Sequence, residues 1–359
     1  MLSFDRRKTN AVNVGKIQIG GGAPISVQSM TNTDSHDFAA TLLQVKRLLA
    51  VGCDIVRITA PTVEACGVFE YIKKAGVSVP LVADIHFNYA IALEAVRCGA
   101  DKIRINPGNI GSRENVKRVA AACSERGIPI RIGVNSGSLE KHILEKYKHP
   151  SPEALAESAL YHAGLLEEVG FSNIILSVKA SGVHDMIEAN RILSKKTSYP
   201  LHLGVTEAGG GTSAIVKSSV GIGALLAEGI GDTVRVSLTD KPESEVEAAR
   251  EILKSLGLLK NGGMDIVACP TCGRTEIDLI GLLAEFKDKA VKEGLLSKSI
   301  RVALMGCAVN GPGEAREADL GIAGGHGEGI IFKRGVIIKK VPENMLVDEL
   351  IREVKNYTV

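Results

Sequence analysis

Eight times between residues 23 and 238 a short apolar run is followed by an amphipathic segment, and this rhythm limits the fold more than any other feature. The runs are APISVQSM (23–30), DIVRITA (54–60), PLVADIH (80–86), KIRINPG (102–108), PIRIGVN (129–135), NIILSVKA (173–180), PLHLGVTEA (200–208) and DTVRVSL (232–238). Each is brief and rich in Val, Ile or Leu, as a strand buried on both faces must be. The intervening segments, such as FAATLLQVKRLLAVG and EALAESALYHAGLLEEVG, carry one apolar and one polar face. Strands alternating with helices imply right-handed βαβ units, and eight of them in about 240 residues match a (β/α)8 TIM barrel. A doubly wound open sheet is the alternative. The count of eight and the lack of a GxGxxG after the first run favour the barrel. Ahead of the first run, NVGKIQIGGG reads as a hairpin that could plug the barrel floor.

After LLKNGGMD (258–265) the rhythm stops. The remainder reads as a strand DIVACP, a helix (276–293), strands IRVALMGC and DLGIAG, a hairpin EGIIFKRGVIIKKVP turned at Arg334-Gly335, and a last helix (347–356). That is a small α+β domain. The expected division is therefore a barrel over 1–258 and a second domain over 264–359, with NGG as linker.

Two domains suit 359 residues, and 45% hydrophobic content suffices for a sizeable core. A formal net charge of +2 argues against nucleic-acid or membrane-surface binding through global charge. The N-terminus has no apolar signal core, and no stretch approaches an uncharged span of about 20 residues, so the expectation is a cytoplasmic protein with no membrane or nucleic-acid partner. Seven cysteines in a reducing compartment should be core filler, catalytic groups or metal ligands rather than disulfides. Cys53, Cys66, Cys98 and Cys123 lie on or beside barrel helices and are expected to pack as small hydrophobes.

Strand parity sorts residues into those facing the helices and those facing the barrel axis. With Ile103 and Ile105 outward, Arg104 and Asn106 point inward; likewise Arg131, Gly133 and Asn135, Arg57 and Thr59, Asp84 and His86, Ser177 and Lys179, and Arg235 and Ser237. Glu207 lies at the very end of the seventh run. Near the C-terminal strand ends such residues occupy the part of a barrel where active sites are built. Five inward cations (Arg57, Arg104, Arg131, Lys179, Arg235) face two inward acids, Asp84 and Glu207. A network of structural salt bridges is one reading. The excess of cations, together with the Gly-rich loops NPGNIGS, NSGS and AGGGTS, favours a small phosphorylated or diphosphorylated substrate. Asp84, His86 and Glu207 are the catalytic candidates. A lone buried His is commonly a core residue, but Asp84 on the same face speaks for a role.

In CPTC, Cys269 and Cys272 have the spacing with which two thiolates grip one metal or cluster. Cys307 ends another strand of the same domain, and parallel neighbouring strands would bring it to them. Structural zinc wants four Cys or His ligands, yet no second CxxC exists and His326 is the domain's single histidine. A four-iron cluster held by three thiolates leaves one iron open to an oxygen ligand or to substrate. Glu314, carried by the turn in GCAVNGPGEA (306–315), is the candidate oxygen ligand.

Together these residues resemble the 4-hydroxy-3-methylbut-2-en-1-yl diphosphate synthase family of the non-mevalonate isoprenoid pathway. The motifs are VADIHF (82–87), RINPGNIG (104–111), RIGVNSGSLE (131–140), SVKAS (177–181), GVTEAGGG (204–211), CPTCGR (269–274) and GCAVNGPGEA, spread over nearly the whole chain. The resemblance implies reductive ring opening of 2-C-methyl-D-erythritol 2,4-cyclodiphosphate, with a [4Fe–4S] cluster fed by flavodoxin or ferredoxin. It further implies that Cys269, Cys272, Cys307 and Glu314 are cluster ligands, with Glu314 displaceable, that Arg57, Arg104, Arg131, Lys179 and Ser237 bind the diphosphate, and that Glu207 is the acid near the reacting carbons. The eighth helix ends at the barrel floor, and the linker reaches at most roughly 27 Å. The expectation is therefore a head-to-tail homodimer in which one subunit's barrel meets the other's cluster, an arrangement the family is known for. The rival readings are a pterin-binding barrel transferase and a zinc-bearing binding module.

Overall fold

The computed structural model describes residues 5–259, 262–307 and 315–358. The chain divides into two compact units, Met1–Leu259 and Lys260–Val359. Among the described residues, no helix is long and apolar enough to cross a membrane.

The first unit is the expected (β/α)8 barrel. A two-strand hairpin, β1 (Val12–Val14) and β2 (Ile17–Ile19), precedes it. The eight parallel strands are β3 (Ser26–Met30), β4 (Ile55–Thr59), β5 (Leu81–Asp84), β6 (Lys102–Ile105), β7 (Ile130–Asn135), β8 (Ile174–Lys179), β9 (His202–Leu203) and β10 (Thr233–Val234). They pair in the order β8-β7-β6-β5-β4-β3-β10-β9, and a parallel bridge between Leu176 and Leu201 brings β8 back to the start of β9. The helices are α1 (Phe38–Ala50), α2 (Gly67–Lys74), α3 (Tyr89–Arg97), α4 (Arg113–Glu125), α5 (Lys141–Tyr147), α6 (Pro152–Glu167), α7 (Val183–Lys196), α8 (Gly211–Ala227) and α9 (Pro242–Ser255). Side-chain caps start several of them: Asp37, Asn88, Ser112 and Ser151 accept from backbone N–H groups of the first turn, satisfying donors that have no partner inside the helix.

Outward strand residues such as Val56, Ile58, Ile103, Ile105, Ile130 and Ile132 are buried under these helices. The inward residues change character with height. At the bottom Ile55, Val82 and Ile175 pack on Val12, Val14 and Ile19 of the hairpin. The hairpin therefore closes the barrel floor with apolar side chains, and the polar residues start one layer above. The last two strands are only two residues each, shorter than the apolar runs that contain them. Strand length follows pairing, and pairing stops before the hydrophobic sequence does. Cys53, Cys66, Cys98 and Cys123 are free, buried members of the barrel core. Burial pushes the thiols of Cys53, Cys66 and Cys123 up to about 12, so they are inert packing groups.

The second unit is a five-stranded sheet, β11 (Asp265–Ala268), β12 (Arg301–Met305), β13 (Leu320–Gly325), β14 (Glu328–Lys333) and β15 (Val336–Pro342), in that spatial order. The first three strands are parallel and the last two antiparallel. Arg334 and Gly335 both have positive φ, as the two-residue hairpin turn expected there requires. Helices α10 (Leu279–Lys292) and α11 (Leu346–Asn356) cover one sheet face through Leu282, Phe286, Leu350 and Val354.

Ile19 is completely buried at the barrel floor. Ile19→Ala should leave a cavity that the closed ring cannot collapse, costing about 2–4 kcal/mol. A urea titration followed by probes in the barrel should show the midpoint of its transition move down accordingly.

Candidate functional site

Above the apolar floor, the strand ends enclose a cavity of about 110 Å³. Its walls include Arg57, Arg104, Arg131, Gly133, Asn135, Ser177, Lys179, Arg235 and Ser237, nine of the residues singled out by strand parity, together with Thr206. Asn106 lies beside the cavity rather than in its lining; its Oδ1 accepts from Gly133 N at 3.0 Å, so it ties the ends of β6 and β7 together. Arg104 donates to Gly133 O at 2.9 Å. A Cβ at position 133 would sit 2.7 Å from Arg104 Nε, so only glycine lets that guanidinium lie against the strand.

Asp84 is the buried counter-ion of this chamber. Its Oδ2 is 2.6 Å from Arg57 Nη2 and its Oδ1 is 3.4 Å from Arg104 Nη1. Burial opposes the charge on Asp84, but Arg57, Arg104 and Arg131 outweigh it and hold the carboxyl down at about 2. Asp84 therefore stays ionised and orients arginines; it is a poor proton donor at neutral pH. The second counter-ion was missed by strand parity. Glu245, near the start of α9, meets Arg235 at 3.3 Å and Ser29 at 3.0 Å. A helix residue entering from outside the barrel leaves no mark in strand alternation. Lys102 was also passed over, although it shares the parity of Arg104; it is fully buried and donates to Gln28 Oε1 at 3.2 Å. His202, likewise fully buried, has no hydrogen-bond partner on either ring nitrogen among the described residues.

Arg131 and Lys179 make no ion pair among the described residues, and Arg131 Nε and Nη1 have no hydrogen-bond acceptor there. Burial, then the neighbouring cations, push the proton affinities of Lys179 and Arg131 well below their ordinary values. An arginine keeps its proton, so for Arg131 this pressure is repulsion that an incoming anion relieves. A larger groove of about 680 Å³ between α8 and α9 is rimmed by Asp240, Glu247 and Glu251 and lacks the charge for an anion.

The other two catalytic candidates are placed differently from Asp84. β5 ends at Asp84, and His86 beyond it is exposed, with its ring near Phe87; the inward position expected for it is not the one it takes. Glu207 lies past the end of β9 and is exposed, outside the cavity lining, with a left-handed backbone at φ 54°. A non-glycine residue held there is strained, and such strain gathers at functional positions.

In the second unit, β11 and β12 are adjacent and parallel, so Cys269 and Cys307 follow neighbouring strand ends. Gly306 N donates to Cys269 Sγ at 3.2 Å, a bond that favours a thiolate. Cys272 is exposed, in a turn where its N–H donates to Thr275 Oγ1 at 3.0 Å. All three thiols are free. Among the described residues, no three Cys, His, Asp or Glu side chains converge into a formed metal cage. Glu314 and the turn that carries it lie outside the described residues. His326 is 92% exposed and pairs with Glu276, away from the role of a fourth zinc ligand.

Two family descriptions match the chain: the GcpE TIM-barrel domain over residues 9–250 and the GcpE protein C-terminal domain over residues 265–356. Proteins named 4-hydroxy-3-methylbut-2-en-1-yl diphosphate synthase (flavodoxin) align over nearly all of it. That of Clostridium acetobutylicum is 57% identical, covering 98% of this chain and 100% of its own. That of Fusobacterium nucleatum is 57% identical, covering 96% of each. Among solved structures, a type I 3-dehydroquinate dehydratase from Clostridium difficile covers 70% of this chain and 100% of its own at a TM-score of 0.50 and 14% identity, a likeness of fold alone.

An anion entering the cavity favours the proton that burial and the neighbouring cations disfavour on Lys179. Binding of inorganic pyrophosphate should therefore take up protons, by up to about one at Lys179, and the Lys179 share of the affinity should fade as pH rises through the bound-state pKa. Calorimetry in buffers of different ionisation heat measures the uptake. Lys179→Gln should bind more weakly and take up fewer protons; an equal count in both proteins contradicts the assignment.

Proposed function

The chain belongs to the GcpE family, that of the 4-hydroxy-3-methylbut-2-en-1-yl diphosphate synthases, and we propose that its barrel mouth binds the cyclic diphosphate while its cysteines hold the redox group. The enzyme is an oxidoreductase of isoprenoid biosynthesis. It converts 2-C-methyl-D-erythritol 2,4-cyclodiphosphate to 4-hydroxy-3-methylbut-2-enyl diphosphate, opening the ring and removing a hydroxyl-derived oxygen with two electrons. The observation that supports the barrel assignment is the 110 Å³ cavity walled by five cations, two of them without an ion pair among the described residues.

In this reading Arg57 and Arg104, aimed by Asp84, and Arg131 and Lys179, without carboxylate partners among the described residues, clamp the diphosphate. Arg235, Ser237 and Asn135 complete the wall. The clamp stabilises the charge that collects on the diphosphate as the ring opens, and its preorganisation means no rearrangement is needed at that moment. Glu207, exposed at the end of the seventh strand, supplies the proton to the departing oxygen. Asp84 is assigned to orientation, because its carboxyl is ionised at working pH. No role follows for His86 from its exposed position.

Cys269, Cys272 and Cys307 would hold a [4Fe–4S] cluster, with Glu314 as the oxygen ligand. The free thiols at neighbouring strand ends and the N–H···S bond on Cys269 suit thiolate ligation. Such a cluster, when bound, supplies electrons singly and a Lewis-acidic iron. Flavodoxin, which the relatives carry in their names, is the proposed electron donor. By the alternation of a (β/α)8 barrel, α9 after β10 returns from the strand ends that carry the cavity, a topology that supports a head-to-tail dimer in which one subunit's barrel serves the other's cluster.

Protein purified without oxygen should be brown, with about four irons and four sulfides per chain, and Cys307→Ser should lose most of both. A colourless protein with zinc is the contrary outcome. The dimer has its own test: Glu207→Gln and Cys307→Ser are each nearly inactive, but mixed after reversible dissociation they should recover up to about a quarter of full activity, since each mixed dimer has one intact barrel–cluster pair. Absence of recovery removes the shared site and leaves the cluster assignment standing.

A further inference from the structure

His162, on α6, is fully buried and belongs to no motif that strand parity or cysteine spacing picked out. Its Nδ1 accepts from Gly108 N at 3.1 Å, and its Nε2 meets the carboxylate of Glu140. A backbone N–H can only donate, so Nδ1 is the acceptor, and the neutral ring carries its proton on Nε2, where it donates to Glu140. Gly108 lies in the turn Pro107–Asn109 that follows β6. Glu140 lies in the segment that follows β7 and precedes α5. One imidazole thus ties together the two Gly-rich loops that leave the strands bearing Arg104, Arg131, Gly133 and Asn135. The fit is close: a Cβ at position 108 would lie 2.8 Å from His162 Cε1, so glycine is required for the loop to reach the ring.

The titratable groups placed against this ring are Glu140, Tyr161 beside it on α6, and His142 of α5 beyond Tyr161; the loop after β6 presents the Gly108 backbone. Burial works against the charge on Glu140, and the hydrogen bonds it receives, His162 foremost, outweigh that and favour the ionised carboxylate.

We propose that His162 is a positioning residue for the diphosphate: its clasp on Gly108 and Glu140 holds the β6 and β7 loops in the register that aims Arg104, Gly133 and Asn135 into the cavity. The inference rests on the diphosphate reading of the barrel mouth.

The test is calorimetric titration of the intact holoenzyme with inorganic pyrophosphate at pH 8, for the wild type, His162→Phe, His162→Asn and Glu140→Gln. His162→Phe fills the space of the ring but has no acceptor for Gly108 N, and should bind about tenfold more weakly, the size of one buried hydrogen bond. His162→Asn puts an amide oxygen near the place of Nδ1 and should recover part of that loss. Glu140→Gln can still accept from Nε2 and should stay close to the wild type. Equal affinity in the wild type and His162→Phe, or no recovery in His162→Asn, overturns the clasp. If the wild type itself binds no pyrophosphate, the diphosphate reading fails and the clasp with it.

Discussion

One buried carboxylate sets the terms for the barrel interior. Asp84 neutralises Arg57 and Arg104 where water is excluded, and without it neither guanidinium could be held at the centre of the ring. Its capacity is limited. Among the described residues Arg131 and Lys179 have no carboxylate in ion-pair reach, and Glu245 is taken up by Arg235 and Ser29. The result is a chamber whose free state is electrostatically unsatisfied in one sign. Dispersed over the surface the same charges would be inert; gathered above a sealed apolar floor they become a receptor for an anion.

Much of this was legible in the sequence because a parallel barrel imposes two simple rules: buried runs mark strands, and alternation marks the axis-facing side. Those rules located nine cavity residues. They failed where side chains obey something else. Glu245 enters from a helix, and His162 joins two loops and a helix that are far apart in sequence, so neither has a periodic signature. His86 and Glu207 were read as strand residues because the apolar runs continue past the last paired residue; both proved exposed beyond the strand ends. Lys102 did have the signal, in the same alternation as Arg104, and its position at the bottom of the strand hid its weight.

The second unit was legible for a different reason. Two short cysteine motifs, each just after a β-strand, are informative only if those strands are neighbours, and β11 and β12 are adjacent and parallel. The sheet thus converts a sequence separation of 38 between Cys269 and Cys307 into a local arrangement.

The ring of strands is not uniformly strong. Six residue pairs join β7 to β8, whereas β9 shares two with β10, β10 shares two with β3, and β8 meets β9 through the bridge at Leu176 and Leu201 and a bond from Thr206 N to Ala180 O. One arc of the hoop is densely laced and the other thinly. Lys179 and Thr206 border the thin arc, and both stand in the cavity wall. The chamber is thus walled by a firm side and a lightly tied one.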